Sequence, residues 1–199
     1  VLFIGNSLTY TNDMPEMIAQ LSHARGYDVR IAMHAPGGYR LQQHAADTAL
    51  QHKLEEGIWD IVVMQDQSQI PSFKRAQVRR ESLPYAKKLA EKIRLYNPGS
   101  RIIYYMTMAH RNGDAMNKAT DPAVGTYEGM QKRINGNYRF LASETQAEVA
   151  PIGEVWRRFR AELPDENLYA DDIHPNRIGS YLVACVFYET IYHESPCGL

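Results

Sequence analysis

The chain has 199 residues, 44% hydrophobic and 23% charged, an ordinary globular composition with enough material for a substantial core. Lys and Arg (22) nearly cancel Asp and Glu (23), so no basic surface argues for a nucleic-acid partner. No apolar run approaches the ~18 residues of a membrane span, and Cys185 and Cys197 are too few to assign a redox compartment.

In chain order, strand-like and helix-like segments alternate, which favours a parallel sheet covered by helices on both faces. Val1–Ile4 is a short apolar strand that breaks at Gly5. Met14–Arg25 is a helix with Met17, Ile18 and Leu21 on one face, Asp13 or Asn12 placed to cap it and Pro15 in its first turn. Tyr27–His34 reads as an edge strand, Val29, Ile31 and Met33 alternating with polar neighbours. Ile61–Met64 is continuously apolar, the pattern of a central strand. Arg75–Tyr96 is a charged helical stretch, kinked or restarted at Pro84 and stopped by Asn97-Pro98-Gly99. Arg101–Met106 is a fourth strand, and Tyr127–Thr145 a helix with Met130, Ile134, Tyr138 and Leu141 on one side. Glu148–Ile152 is a short last strand. Pro175–Tyr192 is the closing helix, whose apolar patch from Tyr181 to Tyr188 is expected to hold Cys185 as a free core thiol. No repeat, low-complexity tract or linker interrupts residues 1–199, so they are expected to form a single domain. The longest irregular stretch is Thr107–Gly125, and loops of that length are usually functional or mobile.

With right-handed crossovers, this order predicts the α/β class: a three-layer α/β/α sandwich around a central parallel sheet of about five strands. Its ligand site should lie beyond the carboxyl ends of the strands. Gly5-Asn6-Ser7, Pro36-Gly37-Gly38, Gln65–Ser68 and the Thr107 loop all follow strand ends and converge on that rim. A strand that stops at a glycine and presents a serine can hold a nucleophile at a sheet edge. In Asp171-Asp172-Ile173-His174-Pro175, an Asp stands three residues before a His and can orient it as a general base. Each piece has a plainer use: Ser7 as a helix cap, His174 as a surface residue, Asp171 or Asp172 as an N-cap. Together they read as a serine hydrolase.

These blocks resemble the SGNH (GDSL-like) hydrolase superfamily. The first block is similar to Gly5-Asn6-Ser7-Leu8-Thr9, with Asn6 where Asp is commoner. The second is matched by Gly37-Gly38 with Leu41 downstream, and the last by Asp171 to His174 followed by Pro175 and Gly179. The third departs from the pattern: where the family has Gly-x-Asn, this chain has Gln65-Asp66-Gln67-Ser68. That substitution resembles branches acting on acetylated sugars. The resemblance implies a flavodoxin-like fold, ester hydrolysis, and a periplasmic or secreted location. Because the chain opens inside a strand without an initiator Met, an upstream segment is expected to have been removed, any signal peptide with it.

The resemblance also implies roles. Ser7 would be the nucleophile, His174 the proton shuttle and Asp171 its orienting carboxylate, with Asp172 the competing choice. The oxyanion hole would combine the Ser7 and Gly38 backbone N–H groups with a side-chain amide, from Gln67 or from Gln65. Tyr10, Tyr39, His110 and Arg111 are candidate substrate contacts, or ordinary loop residues. His34, His44 and His52 match no helical ligand spacing, so neither a metal nor a cofactor is expected. The expected partner is a small-molecule ester, for example an acetylated saccharide, cleaved through an acyl-enzyme. Competing readings are a lipase or thioesterase for longer acyl chains, and a non-catalytic carbohydrate- or partner-binding module. A nucleotide binder would need a phosphate-cradling glycine loop, and Gly5-Asn6-Ser7 has a single glycine. Composition does not set the oligomeric state.

Overall fold

The computed structural model describes residues 1–199. Its strands are β1 (Leu2–Ile4), β2 (Ala32–His34), β3 (Ile61–Met64), β4 (Arg101–Tyr105) and β5 (Glu148–Ala150). They pair in parallel throughout, in the order β2-β1-β3-β4-β5. Inner strands of such a sheet are covered on both faces and must be apolar along their length. Accordingly all of β1 and β3 is buried, each large side chain contributing about 1.5–3 kcal/mol by leaving water.

The helices are α1 (Ser7–Tyr10), α2 (Met14–Ala24), α3 (Leu41–Ala46), α4 (Thr48–Glu55) and α5 (Arg75–Glu81), followed by α6 (Leu83–Tyr96), α7 (Tyr127–Thr145), α8 (Ile152–Glu162) and α9 (Arg177–Tyr192). One layer pairs α2 with α9; the other packs α3 and α4 on α6, and α6 on α7. The molecule is thus a flavodoxin-like three-layer sandwich. The strand order reverses between β1 and β3, and in such sheets ligands bind at that crevice. The segments that leave β1 and β3 are Gly5-Asn6-Ser7 and Gln65–Gln69.

Several elements differ from the expected boundaries. The second strand pairs only over Ala32–His34, because its partner β1 is itself no longer. Val29 and Ile31 run alongside half-buried, and Met33 is exposed. The last strand ends at Ala150: Pro151 has no N–H to continue a ladder, and Ile152 opens α8. That helix takes Ile152 from the expected strand, and it, α3 and α4 are helices that the sequence reading does not predict. Its signal is Ile152, Val155, Trp156 and Phe159 at helical spacing. The fourth strand stops at Tyr105, and the closing helix begins at Arg177, capped by the Asn176 side chain on the Gly179 N–H at 2.9 Å. The charged helix does restart at Pro84, dividing into α5 and α6 at Ser82. Asp13 precedes α2 in a left-handed conformation, and its side chain makes no cap bond. Cys185 is free, as is Cys197, but it is half-buried at the edge of the core.

Candidate active site

Ser7 begins α1 directly after β1, and a set of buried hydrogen bonds holds its loop. The Asn6 carboxamide caps α1 by accepting from the Leu8 N–H at 3.2 Å, and donates to the Tyr39 carbonyl at 2.9 Å. The Gln65 Oε1 accepts from the Asn6 N–H at 3.0 Å and the Thr9 hydroxyl at 3.1 Å. Only glycine fits before Asn6, because a Cβ on Gly5 would sit 2.2 Å from the Thr9 Oγ1. His44 donates from Nε2 to the Gly5 carbonyl at 2.8 Å. Burial pushes its pKa down to about 4, so the ring is neutral and keeps that donor role.

His174 reaches this loop from the far end of the chain. Its Nε2 lies 2.9 Å from the Ser7 Oγ, and its Nδ1 2.8 Å from the Asp171 Oδ2. With Nδ1–H donating to the carboxylate, Nε2 is left as acceptor for the Ser7 hydroxyl, the tautomer a general base needs. The Asp171 Oδ1 accepts from the Ile173 and His174 N–H groups, both at 2.6 Å. Partial burial disfavours the Asp171 charge, but these backbone donors and the imidazole outweigh it and hold its pKa at about 2. Asp172 makes no contact with the imidazole; its carbonyl accepts from the Arg111 N–H at 2.8 Å and its carboxylate meets Asn112 at 3.4 Å. Asn12 bridges the two halves, donating to the Pro175 carbonyl at 3.0 Å and to Ser180 at 2.9 Å.

The structure separates the two glutamines. Gln65 is fully buried, and its Nε2 donates to the Asn6 Oδ1 at 3.0 Å and to the Asp66 carbonyl. It has no N–H left to offer a ligand, a correction to its place among oxyanion donors. Gln67 is half-exposed; its Oε1 is anchored by the Gln69 N–H at 2.9 Å, while its Nε2 has only long contacts, 3.4 Å to Ser68 and 3.5 Å to Gln69. Between them Asp66, wholly buried, accepts from the Ser82 hydroxyl at 2.6 Å, the Gln67 N–H at 2.9 Å and the Leu41 N–H at 3.1 Å. Burial pushes its carboxyl pKa up against those donors. The same carboxylate thus ties the loop after β3 to α3, which follows Gly37-Gly38. Gly38 has φ +71°, a turn conformation that glycine adopts without strain.

A structure of a protein from Slackia heliotrinireducens described as an SGNH hydrolase is 30% identical over 96% of this chain and 97% of its own, with a TM-score of 0.76. The chain belongs to the SGNH hydrolases. A DUF4886 family protein from Bacteroides uniformis shares the fold at 18% identity, TM-score 0.80, over 98% of this chain and 83% of that one. An acetyl xylan esterase does so at 14% identity, TM-score 0.72, over 96% and 100%. No protein-family model matches the sequence, and no curated protein does.

In this SGNH hydrolase the remaining candidates lie around the rim. Tyr10 is exposed, its hydroxyl reaching over Gly37. Tyr39 stacks edge-on against His44 with ring centres 5.1 Å apart. Arg111 is occupied with the protein itself, bonding Asn167 and lying over the Tyr169 ring. His110 is 7% exposed, with its Nε2 2.9 Å from the Ser68 hydroxyl. Among the other histidines, His34 pairs with Asp47 at 3.1 Å and His52 with Glu55 at 3.3 Å. Neither Ser68 nor Asp66 stands out by spacing; both sit in the Gln65–Ser68 segment, whose position after a strand was the available signal.

Proposed function

We propose that this SGNH hydrolase is a serine carboxylic ester hydrolase, residues 1–199 acting as one domain, that removes short acyl groups such as acetyl from small or saccharide esters. The observation that carries the reading is the continuous line from Ser7 Oγ through the His174 imidazole to the Asp171 carboxylate. Ser7 Oγ attacks the ester carbonyl carbon while His174 Nε2 takes its proton. The resulting oxyanion is held by the Ser7 and Gly38 backbone N–H groups and the Gln67 amide. Collapse breaks the bond to the alcohol, which leaves with the proton from Nε2. Water then attacks the acyl-enzyme, passing its proton to His174, and the acid departs as Ser7 recovers its hydrogen.

A short acyl group is favoured over a long chain by where the apolar surface lies. An apolar groove of about 550 Å³ runs between α2 and α9, lined by Met17, Leu21, Ile178, Tyr181 and Leu199, and neither Ser7 nor His174 is among its walls. The acetyl xylan esterase among the structural neighbours supports a saccharide ester as substrate. The test is a rate comparison across p-nitrophenyl acetate, butyrate and decanoate and an acetylated xylo-oligosaccharide, with fluorophosphonate labelling read by peptide mass. Acetate-selective turnover with label on the Ser7 peptide is expected. Preference for decanoate would replace the short-acyl reading, and labelling at another residue would remove Ser7.

A further inference from the structure

Beside Gln67 lies a second hydroxyl–imidazole contact that the reaction above does not use. Ser68 and His110 meet at 2.9 Å, and both are buried, at 6% and 7% exposure. The pair is not a second nucleophile, since Ser68 is closed to substrate and no carboxylate is bonded to the His110 ring. Its other neighbour is the amide: the Gln67 Nε2 lies 3.4 Å from the same Ser68 Oγ. Gln69, whose N–H anchors the Gln67 oxygen, is itself pinned by its Nε2 to Asp114 at 2.9 Å.

We propose that Ser68 and His110 form a relay that sets the direction of the Gln67 amide, making both of them positioning residues of the oxyanion hole. The inference rests on Gln67 being the side-chain donor there. A terminal carboxamide torsion is broad, so a loosely held Gln can turn its oxygen, not its N–H, toward a developing negative charge. A hydroxyl has one proton. If Ser68 spends it on the His110 Nε2, only lone pairs face Gln67, and they accept from its N–H. The Gln69 N–H on Oε1 enforces the same sense from the other end. The relay requires a neutral His110. Burial pushes that pKa down, as does the His174 charge; Asp114, Asp172 and Asp171 pull it up, and the net direction is downward. Protonated, the ring would donate to Ser68, freeing the hydroxyl proton to turn against the amide. The ring is also well placed mechanically: the next residue, Arg111, hydrogen-bonds the Asp172 carbonyl at 2.8 Å, joining the oxyanion side to the loop that carries Asp171.

The experiment measures kcat and KM with p-nitrophenyl acetate for Gln67→Ala, Ser68→Ala, Ser68→Thr, His110→Ala and the double variant Gln67→Ala/Ser68→Ala, below each melting transition. Gln67→Ala should lower kcat roughly 100- to 1,000-fold. Ser68→Ala and His110→Ala should each lower it about tenfold with KM unchanged, because a misdirected donor is missed in the transition state alone. Ser68→Thr, which keeps the hydroxyl, should restore kcat. In the Gln67→Ala background, Ser68→Ala should have no further effect. Full kcat in both Ser68→Ala and His110→Ala, with Gln67→Ala impaired, overturns the relay and leaves the oxyanion assignment standing. The same fold-loss from Ser68→Ala with or without Gln67 also overturns it. Full turnover in Gln67→Ala overturns the oxyanion assignment, and the relay with it.

Discussion

The two sides of the proposed reaction centre are built differently. The serine side is buried and cross-braced: Asn6, Thr9 and Gln65 are almost inaccessible, and the three bond one another across β1 and β3. The histidine side is open, with the Asp171 side chain 57% and the His174 side chain 30% exposed. It is held by two local ties, the Asp171 carboxylate on its own loop and the Ala170 N–H on the His174 carbonyl at 2.9 Å, and by one long-range tie, the Asn12 bridge. A polar group lost from the buried side leaves partners that water cannot reach; one lost from the open side is replaced by solvent. Substitutions on the serine loop's braces should therefore damage the fold, and those in the Asp171–His174 loop should damage the chemistry alone.

The largest expected effect is that of Ser7→Ala. It deletes one hydroxyl from a half-buried position, so the melting temperature should barely move while kcat falls by roughly 10⁴-fold or more. A folded variant with normal turnover would remove Ser7 as the nucleophile.

Asp171→Asn should come next, with a loss of roughly 10³- to 10⁴-fold in kcat from a mis-set imidazole tautomer and again little change in melting. Asp172→Asn should stay within about threefold, since its carboxylate touches only Asn112. The Asp171 carboxyl, held at about 2, is anionic at neutral and mildly acidic pH, so the Asn variant removes a full charge from beside the imidazole. A larger loss in Asp172→Asn than in Asp171→Asn would exchange their roles.

Gln65→Ala reverses the pattern. Leaving the Asn6 and Thr9 groups unpaired in the interior should cost about 2–4 kcal/mol, or roughly 5–15 °C in melting temperature. An unchanged melting curve would show that the serine side is not braced as described.

The last effect is a pH slope, confined to acid conditions. The unfolded chain protonates His44 near ~6.5, whereas the folded chain resists until about 4. Between those values the unfolded state binds the extra proton, so stability falls as pH drops through this window, by on the order of 3 kcal/mol at most. His44→Gln should flatten that part of the melting-temperature profile, and an identical profile in the variant would assign the slope elsewhere.

Much of this was legible without coordinates because it is local. Apolar runs located the inner strands β1 and β3, since parallel strands buried on both faces must be apolar throughout, whereas β2 was legible as an edge strand from its alternation. The Asp-x-x-His spacing favours Asp171 over Asp172 because one short turn brings that carboxylate to Nδ1 and to the two N–H groups between them. Element boundaries were less legible: β2 is as long as its partner allows, and nothing within Tyr27–His34 records the length of β1.

What only tertiary structure decided are contacts between distant segments. Gln65 and Gln67 are chemically alike and two residues apart, and a strand's alternation would point them the same way. Pairing with β1 brings the Asn6 loop onto Gln65 and consumes its amide, while Gln67, past the end of the ladder, makes only long N–H contacts, 3.4 Å to Ser68 and 3.5 Å to Gln69. His110 lies 42 residues from Ser68, and only the α5–α6 crossover between β3 and β4 returns the chain to the same rim. Spacing can report which groups a single turn brings together. Which of two equal donors is spent, and which histidine is dry enough to stay neutral, depend on what the rest of the chain packs against them.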